Sequence, residues 1–219
     1  SSLVRTLVQN YDARWEWYPN VNEVLSVAFF AKKFDGPIEQ IDVATSGASQ
    51  LSFINAESAF NYGVEIEARK RLGFMGAALD PFELFSNVTV MNSRINTGNS
   101  TLSALTNDKR PMVGQAPYVV NAGLTYASPS GGTNATLFYN VVGKRITSAA
   151  VAPIRVDTYE QPRNQLDLSL RFPVRSGLTG KLDAKNLMDA SYEERQGDVV
   201  RYRYRNGRSF SFGMTWKLQ

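Results

Sequence analysis

Apolar and polar residues alternate with a period of two over long stretches of this chain, and few folds can use that pattern. Near the C-terminus, Phe210, Phe212, Met214, Trp216 and Leu218 fall on one side of an extended segment. Ser209, Ser211, Gly213, Thr215 and Lys217 fall on the other. Leu166, Leu168, Leu170 and Phe172 alternate in the same way with Gln165, Asp167, Ser169 and Arg171. Phe60, Tyr62, Val64, Ile66 and Ala68 alternate with Asn61, Gly63, Glu65, Glu67 and Arg69. Tyr118, Val120, Ala122, Leu124 and Tyr126 alternate with Val119, Asn121, Gly123 and Thr125. Successive side chains of a strand point to opposite sides, so each segment reads as a β-strand with one apolar and one polar face.

Applied to the whole chain, the pattern predicts nine strands, near residues 3–18, 22–34, 57–71, 82–95, 116–127, 134–147, 164–173, 178–193 and 208–218. Several exceed the usual length of about 5–6 residues. They match the roughly 9–11 residues that a tilted membrane strand needs. The connections take turns in length. Pro19–Val21, Leu72–Pro81, Ser128–Thr133 and Val174–Gly177 are short, whereas Asp35–Ala56, Asn96–Gln115, Ser148–Arg163 and Glu194–Gly207 are long. Short periplasmic turns and longer extracellular loops distinguish outer-membrane barrels. A soluble sandwich also alternates, but offers no reason for long and short connections to take turns. By this pattern the last strand descends and ends at the periplasm.

Aromatic residues fit the same picture. Trp15, Trp17 and Trp216 fall at the turn ends of their strands, and Tyr118 and Tyr126 bracket one apolar face. At about 3.3 Å per residue and about 40° of tilt, those two rings stand roughly 20 Å apart along the membrane normal, close to the height of an apolar band between aromatic girdles. No apolar run approaches the roughly 18 residues of a membrane-spanning helix. The expectation is an all-β, antiparallel up-and-down transmembrane β-barrel, present in part. Nine is odd, so these strands are not expected to close into a ring. The chain opens on SSLVRTLVQNYDARWEWYP, which reads as a strand and not as a targeting segment, so a piece of a longer protein is expected.

Composition narrows the chemistry. The chain has no Cys and no His, which removes disulfides, thiolate or imidazole metal sites and Ser-His-Asp catalysis. The net charge of +4 is mild and does not point to nucleic acid. Glu65 and Glu67 share a side, but with Arg69 they read as a lumen wall rather than as a glycosidase pair. Lys181, Asp183 and Lys185 form a second polar row, expected to face Asp167 and Arg171 across strands and to stabilise that wall by about 0.2–1 kcal/mol per opposite-charge pair. Asn186 and Asp189 break the alternation, so a bulge or an exit from the membrane is expected there. The run VVRYRYRNGR interleaves Arg201, Arg203, Arg205 and Arg208 with Tyr202 and Tyr204. It can hold an anionic ligand by charge-assisted hydrogen bonds and stacking, or it can be a solvated hairpin beside lipid phosphates. No catalytic residue, cofactor or metal is expected, and the chain does not read as an enzyme.

Four stretches resemble the C-terminal barrel region of TonB-dependent outer-membrane receptors. They are FNYGVEIEARKRL (60–72), GQAPYVVNAGLTY (114–126), LDLSLRFPVRSGLTGKLDAKNLMDASY (166–192) and GRSFSFGMTWKL (207–218). The third holds Asn186, Leu187, Asp189 and Tyr192 in the family's "NLfD..Y" spacing. Met188 stands where that family usually has Phe, Asn206 where it has Pro, and Leu218 where it has a terminal aromatic. The resemblance implies a twenty-two-stranded barrel plugged by an N-terminal domain, of which residues 1–219 would be the C-terminal portion. It also implies a bacterial outer-membrane location and outer-membrane lipid as surroundings. The plug and the other strands of the same protein would be partners, with TonB reached through the plug. Active uptake of a ferric siderophore, cobalamin or glycan would be the function. A structural or adhesive barrel without transport is the rival reading.

Overall fold

A computed structural model describes residues 3–45, 48–98, 109–150 and 156–217. In chain order the first strands are β1 (Leu7–Trp17), β2 (Val24–Asp35), β3 (Ile38–Thr45), β4 (Ala48–Asn55), β5 (Ser58–Arg71) and β6 (Phe82–Asn96). Then come β7 (Lys109–Arg110), β8 (Tyr118–Ala127), β9 (Asn134–Val142), β10 (Arg145–Ala150) and β11 (Thr158–Glu160). The last are β12 (Arg163–Arg175), β13 (Leu178–Lys185), β14 (Tyr192–Gln196), β15 (Val199–Tyr204) and β16 (Ser209–Trp216).

Nine strands form one antiparallel wall in the order β1-β2-β5-β6-β8-β9-β12-β13-β16, with β7 added to β6. They match the nine predicted segments. The wall begins at β1 and ends at β16, and those two do not pair, so it is an open sheet. Both end strands are exposed along their whole length.

Register carries the two-sidedness across all nine strands. In a sheet, directly paired residues share a face. Trp15 pairs with Val27, and Val27 with Ile66. Ile66 pairs with Val88, and Val88 with Val120. Further along, Leu124 pairs with Leu137, Leu137 with Leu168 and Leu168 with Ala184. Ala184 pairs with Phe210. This side is an apolar surface, and no second layer covers it among the described residues. Trp15, Phe29, Ile66, Val90, Phe210 and Trp216 on it are exposed despite their size. The opposite side carries Arg14, Glu65, Glu67, Asn87, Asn121, Asn140, Asp167 and Asp183.

Two close approaches shape the polar side. A Cβ on Gly63 would lie 2.5 Å from the Val90 carbonyl oxygen and 2.6 Å from the Phe30 ring. Gly123 sits under the Phe85 ring, which stacks on Phe138 at 6.3 Å between centroids. Gly63→Ala should therefore cost about 1–3 kcal/mol, because a main-chain oxygen cannot rotate away as a side chain can. Gly213→Ala should cost almost nothing, since nothing lies within 4 Å of its missing Cβ. Urea midpoints of the refolded barrel compare the two; equal shifts would contradict the packing at Gly63.

The long connections depart from the sequence expectation. They are not plain loops: β15-β14-β11-β10-β3-β4 make a second, six-stranded sheet at one end of the wall. Two of the predicted strands end early for this reason. The sixth, expected to reach 147, stops at Val142, and Arg145 opens β10 in the second sheet. The eighth, expected to reach 193, stops at Lys185. Asn186 and Asp189 both take positive φ there, at 55° and 50°. Asn tolerates that conformation, and the Asn186 side chain closes the exit. Its Nδ2 donates to the Gly207 carbonyl at 2.8 Å, and its Oδ1 accepts from Ala190 N at 3.0 Å.

Candidate functional site

The loop end of the wall is where chemistry-bearing residues gather. The hairpin β3–β4 is fixed to β10 by a parallel pairing of Ile41 with Ala149. Ile41, Ile54 and Ala149 form a small core, with Val113 packed on it. Ala56, Ala59 and Ile95 form a second, against Phe34 and Met112. Residues 111–117 thus lie between the wall and the second sheet and touch both.

A buried ion pair joins the same pieces. Arg110 Nη2 donates to Glu39 Oε2 at 2.5 Å, with both side chains about 98–99% covered. Glu39 Oε1 accepts the Val113 amide at 3.1 Å, and Arg110 Nη1 donates to the Pro111 carbonyl at 3.0 Å. Arg110 Nε has no acceptor among the described residues. Neither Glu39 nor Arg110 stood out in the sequence. Beside them a cavity of about 130 Å³ is lined by Met91, Pro111, Gln115, Arg145 and Tyr159 among others. Lys144, also at its edge, lies 4.4 Å from the centre of the Tyr159 ring, and Arg145 is held by Glu160 at 2.7 Å.

The arginine run forms β15 and the segment after it, paired with β14. Tyr192 stacks on Tyr204 at 4.9 Å, and Tyr202 meets both edge-on. Arg203 Nε donates to Glu193 at 2.6 Å, and Arg195 holds the same carboxylate. Arg208 Nε donates to the Leu187 carbonyl at 2.8 Å, and Arg205 lies 3.8 Å from Asp189. Among the described residues Arg201 has only the Gln196 amide oxygen, at 3.2 Å. The run is therefore an ordered hairpin whose charges are largely engaged within it. Of the four, Arg201 and Arg205 keep most freedom to meet a ligand.

Glu193 is held below its ordinary value of 4.5 by the hydrogen bond from Arg195 and then by that from Arg203. The folded hairpin therefore binds this proton less tightly than the unfolded chain does. Its ion pairing stabilises at neutral pH and is lost as pH falls from about 4.5 through the lower folded value. Protection of the β14 and β15 amides, taken relative to the intrinsic exchange rate at each pH, should fall over that window in the native protein. The acid-dependent step should vanish in Glu193→Gln, and a step that persists would assign it to another group.

On the polar face of the wall, Glu65, Glu67, Arg69, Asp167, Arg171, Lys181, Asp183 and Lys185 all share one side by register. Their partners differ from the expected cross-strand pairs. Lys181 bonds Asp183 along its own strand at 2.8 Å, and Ser169 Oγ donates to Asp183 at 2.7 Å. Asp167 accepts the Asn186 amide at 2.8 Å. Arg171 is directly opposite Lys181, a like-charge pair. Among the described residues no ion pair links these two strands. Glu67 is taken by Arg14 at 2.8 Å, while Glu65 lines a cleft of about 330 Å³ with Asp12, Lys32 and Asn61. The two glutamates thus have separate surroundings. Arg69 reaches Glu83 at 3.9 Å.

Trp15, Trp17, Tyr118, Tyr126 and Trp216 lie on the apolar face. Trp17, Tyr126 and Trp216 stand near the turn end, with Phe82 5.2 Å from the Tyr126 ring, and Tyr118 stands toward the loop end.

An open antiparallel wall with one apolar and one polar face is part of a β-barrel, and the chain belongs to the TonB-dependent receptor-like β-barrel family. The family's β-barrel model matches residues 6–187. Solved structures share the fold. The ferric-catecholate import receptor Fiu of Escherichia coli K12 superposes with a TM-score of 0.68 at 12% identity. The ferric yersiniabactin uptake receptor FyuA of Yersinia pestis gives 0.67 at 17%, and the FrpB iron transporter of Neisseria meningitidis 0.64 at 15%. Each match covers 96% of this chain but only 27%, 30% and 30% of those chains respectively. No curated protein sequence matches the chain.

Proposed function

We propose that residues 1–219 are the C-terminal portion of the barrel of an outer-membrane receptor that imports a ligand, a ferric siderophore first among the candidates. The family match over residues 6–187 of the 219 carries this reading. The open wall supports it, since β1 and β16 each offer an unpaired edge that further strands of the same barrel would cover. In this reading the apolar face meets lipid and the polar face lines the lumen. The second sheet stands at the cell surface, where Arg201, Tyr202, Tyr204 and Arg205 meet an anionic ligand, with Arg203 and Arg208 holding the hairpin in shape. A plug from the same protein would fill the lumen and carry the contact to TonB. Three of the structures above are named for iron or ferric ligands, which is why a ferric siderophore leads. The test is uptake of radioactive iron by cells expressing the complete receptor, offered a panel of ferric siderophores. Uptake that needs both the receptor and TonB is the expected result. A receptor that inserts in the membrane but moves none of the panel, nor cobalamin nor glycans, would leave a structural barrel.

A further inference from the structure

We propose that Asn206 is a self-modification site, converting without an enzyme to aspartate and isoaspartate through a cyclic imide formed with Gly207. Asn206–Gly207 is the single Asn-Gly pair in the chain. Asn206 stands where the pattern of the family has Pro, and a proline has no side-chain amide to lose. The reactive pair thus comes with this chain's own departure from that pattern. The reaction needs only the chain and water. The Gly207 main-chain nitrogen gives up its proton and attacks Asn206 Cγ. The new N–Cγ bond closes a five-membered imide, the Cγ–Nδ2 bond breaks, and Nδ2 leaves with that proton as ammonia. Water then adds to either imide carbonyl. Opening at the side-chain carbonyl yields aspartate; opening at the main-chain carbonyl yields isoaspartate, with the chain rerouted through the side chain. Nothing is oxidised or reduced.

The surroundings leave this asparagine free to react. It lies between β15 and β16, outside both ladders, and is exposed. Among the described residues neither its side chain nor the Gly207 N–H has a hydrogen-bond partner. Asn55, Asn96, Asn140 and Asn186, by contrast, spend their side-chain amides on fixed partners. Gly207 has a φ of 75°, and nothing beyond its chain neighbours comes within 4 Å of where a Cβ would stand. A glycine leaves the approach to its nitrogen uncrowded and lets the backbone turn toward the side chain. Arg205 and Arg208 flank the pair, and nearby positive charge favours the nitrogen anion that attacks. The neighbouring anchors, Asn186 on the Gly207 carbonyl and Arg208 on the Leu187 carbonyl, do not involve the atoms that react. Either product adds a negative charge between Arg205 and Arg208, and isoaspartate also lengthens the main chain there by a carbon. The change runs one way, so the hairpin loses positive charge as the protein ages.

The test is incubation of the complete folded receptor in mildly acidic and mildly alkaline buffer, then chymotryptic digestion and mass spectrometry against an unincubated sample. Cleavage after Tyr204 and Phe210 frees residues 205–210, which hold Asn206 and no other asparagine. Electron-transfer fragmentation tells isoaspartate from aspartate. Heat-dependent gel mobility checks that the barrel stays folded throughout. Asn206 should convert severalfold faster than Asn140 or Asn186. Conversion should be faster in the alkaline buffer, because the attacking nitrogen must lose its proton, and isoaspartate should be among the products. The converted receptor should also leave a cation-exchange column earlier. Asn206→Gln should suppress the change, since its longer side chain would have to close a six-membered ring. Conversion of Asn206 no faster than that of Asn140 in the folded receptor would overturn the proposal. So would aspartate without isoaspartate, which would mean direct hydrolysis of the side chain and no imide.

Discussion

Replacing Arg110 with alanine should destabilise the loop-end assembly by about 3–5 kcal/mol, the usual result of leaving one member of a buried ion pair without its partner. Glu39 would keep only the Val113 amide and would remain almost completely covered. The damage should be local. Arg110 stands on a two-residue strand at the end of β6, while the wall is held by long ladders on either side. Amide exchange in β3, β4 and β10 should therefore rise steeply, with little change in β5, β6 and β8. A double variant separates charge from shape. Arg110→Met with Glu39→Gln removes both charges and keeps an oxygen to accept the Val113 amide, so it should recover much of the loss. A single variant that costs less than about 1 kcal/mol would mean that the pair is solvated.

The wall was legible because its signal is local. With a side-chain period of two, a slip of one residue would turn every apolar residue of a strand to the wrong face. Leu166, Leu168 and Leu170 therefore announce both the strand and its facing without knowledge of any neighbour. The second sheet has no such signal. β7 and β11 hold two and three residues, and β10 meets β3 from about a hundred positions away. Its cores are a few residues such as Ile41, Ile54 and Ala149, too sparse to set a period. The arginine run shows a different limit. Composition displayed four cations, but their availability depends on Glu193, Asp189 and the Leu187 carbonyl, which only the folded hairpin brings near. Asn186 was more readable. An Asn that breaks a strict alternation marks an exit, and its left-handed backbone and three hydrogen bonds give the reason.

Leu168→Arg should destabilise the assembled barrel by about 2–4 kcal/mol, whereas Ser169→Arg, one position along the same strand, should cost less than about 1 kcal/mol. Leu168 lies near the middle of β12, between Leu137 of β9 and Ala184 of β13 on the apolar face. A guanidinium there must lose its hydration or pull water and headgroups inward, and the cost is greatest near the midplane. Both neighbours are apolar, so nothing nearby compensates it. Ser169 stands between Thr136 and Asp183 on the polar face, and its hydroxyl donates to Asp183 at 2.7 Å. An arginine in that place loses the hydroxyl bond but lies within reach of the same carboxylate, on a face where water is available. The pair is thus a comparison of two faces at one depth and one residue type, which removes strand propensity and charge count as explanations. Urea titration of the complete receptor refolded into lipid bilayers measures both. Equal losses would mean that β12 does not present its leucines to lipid, and the register that runs from Trp15 to Phe210 would then have to be assigned to the opposite side.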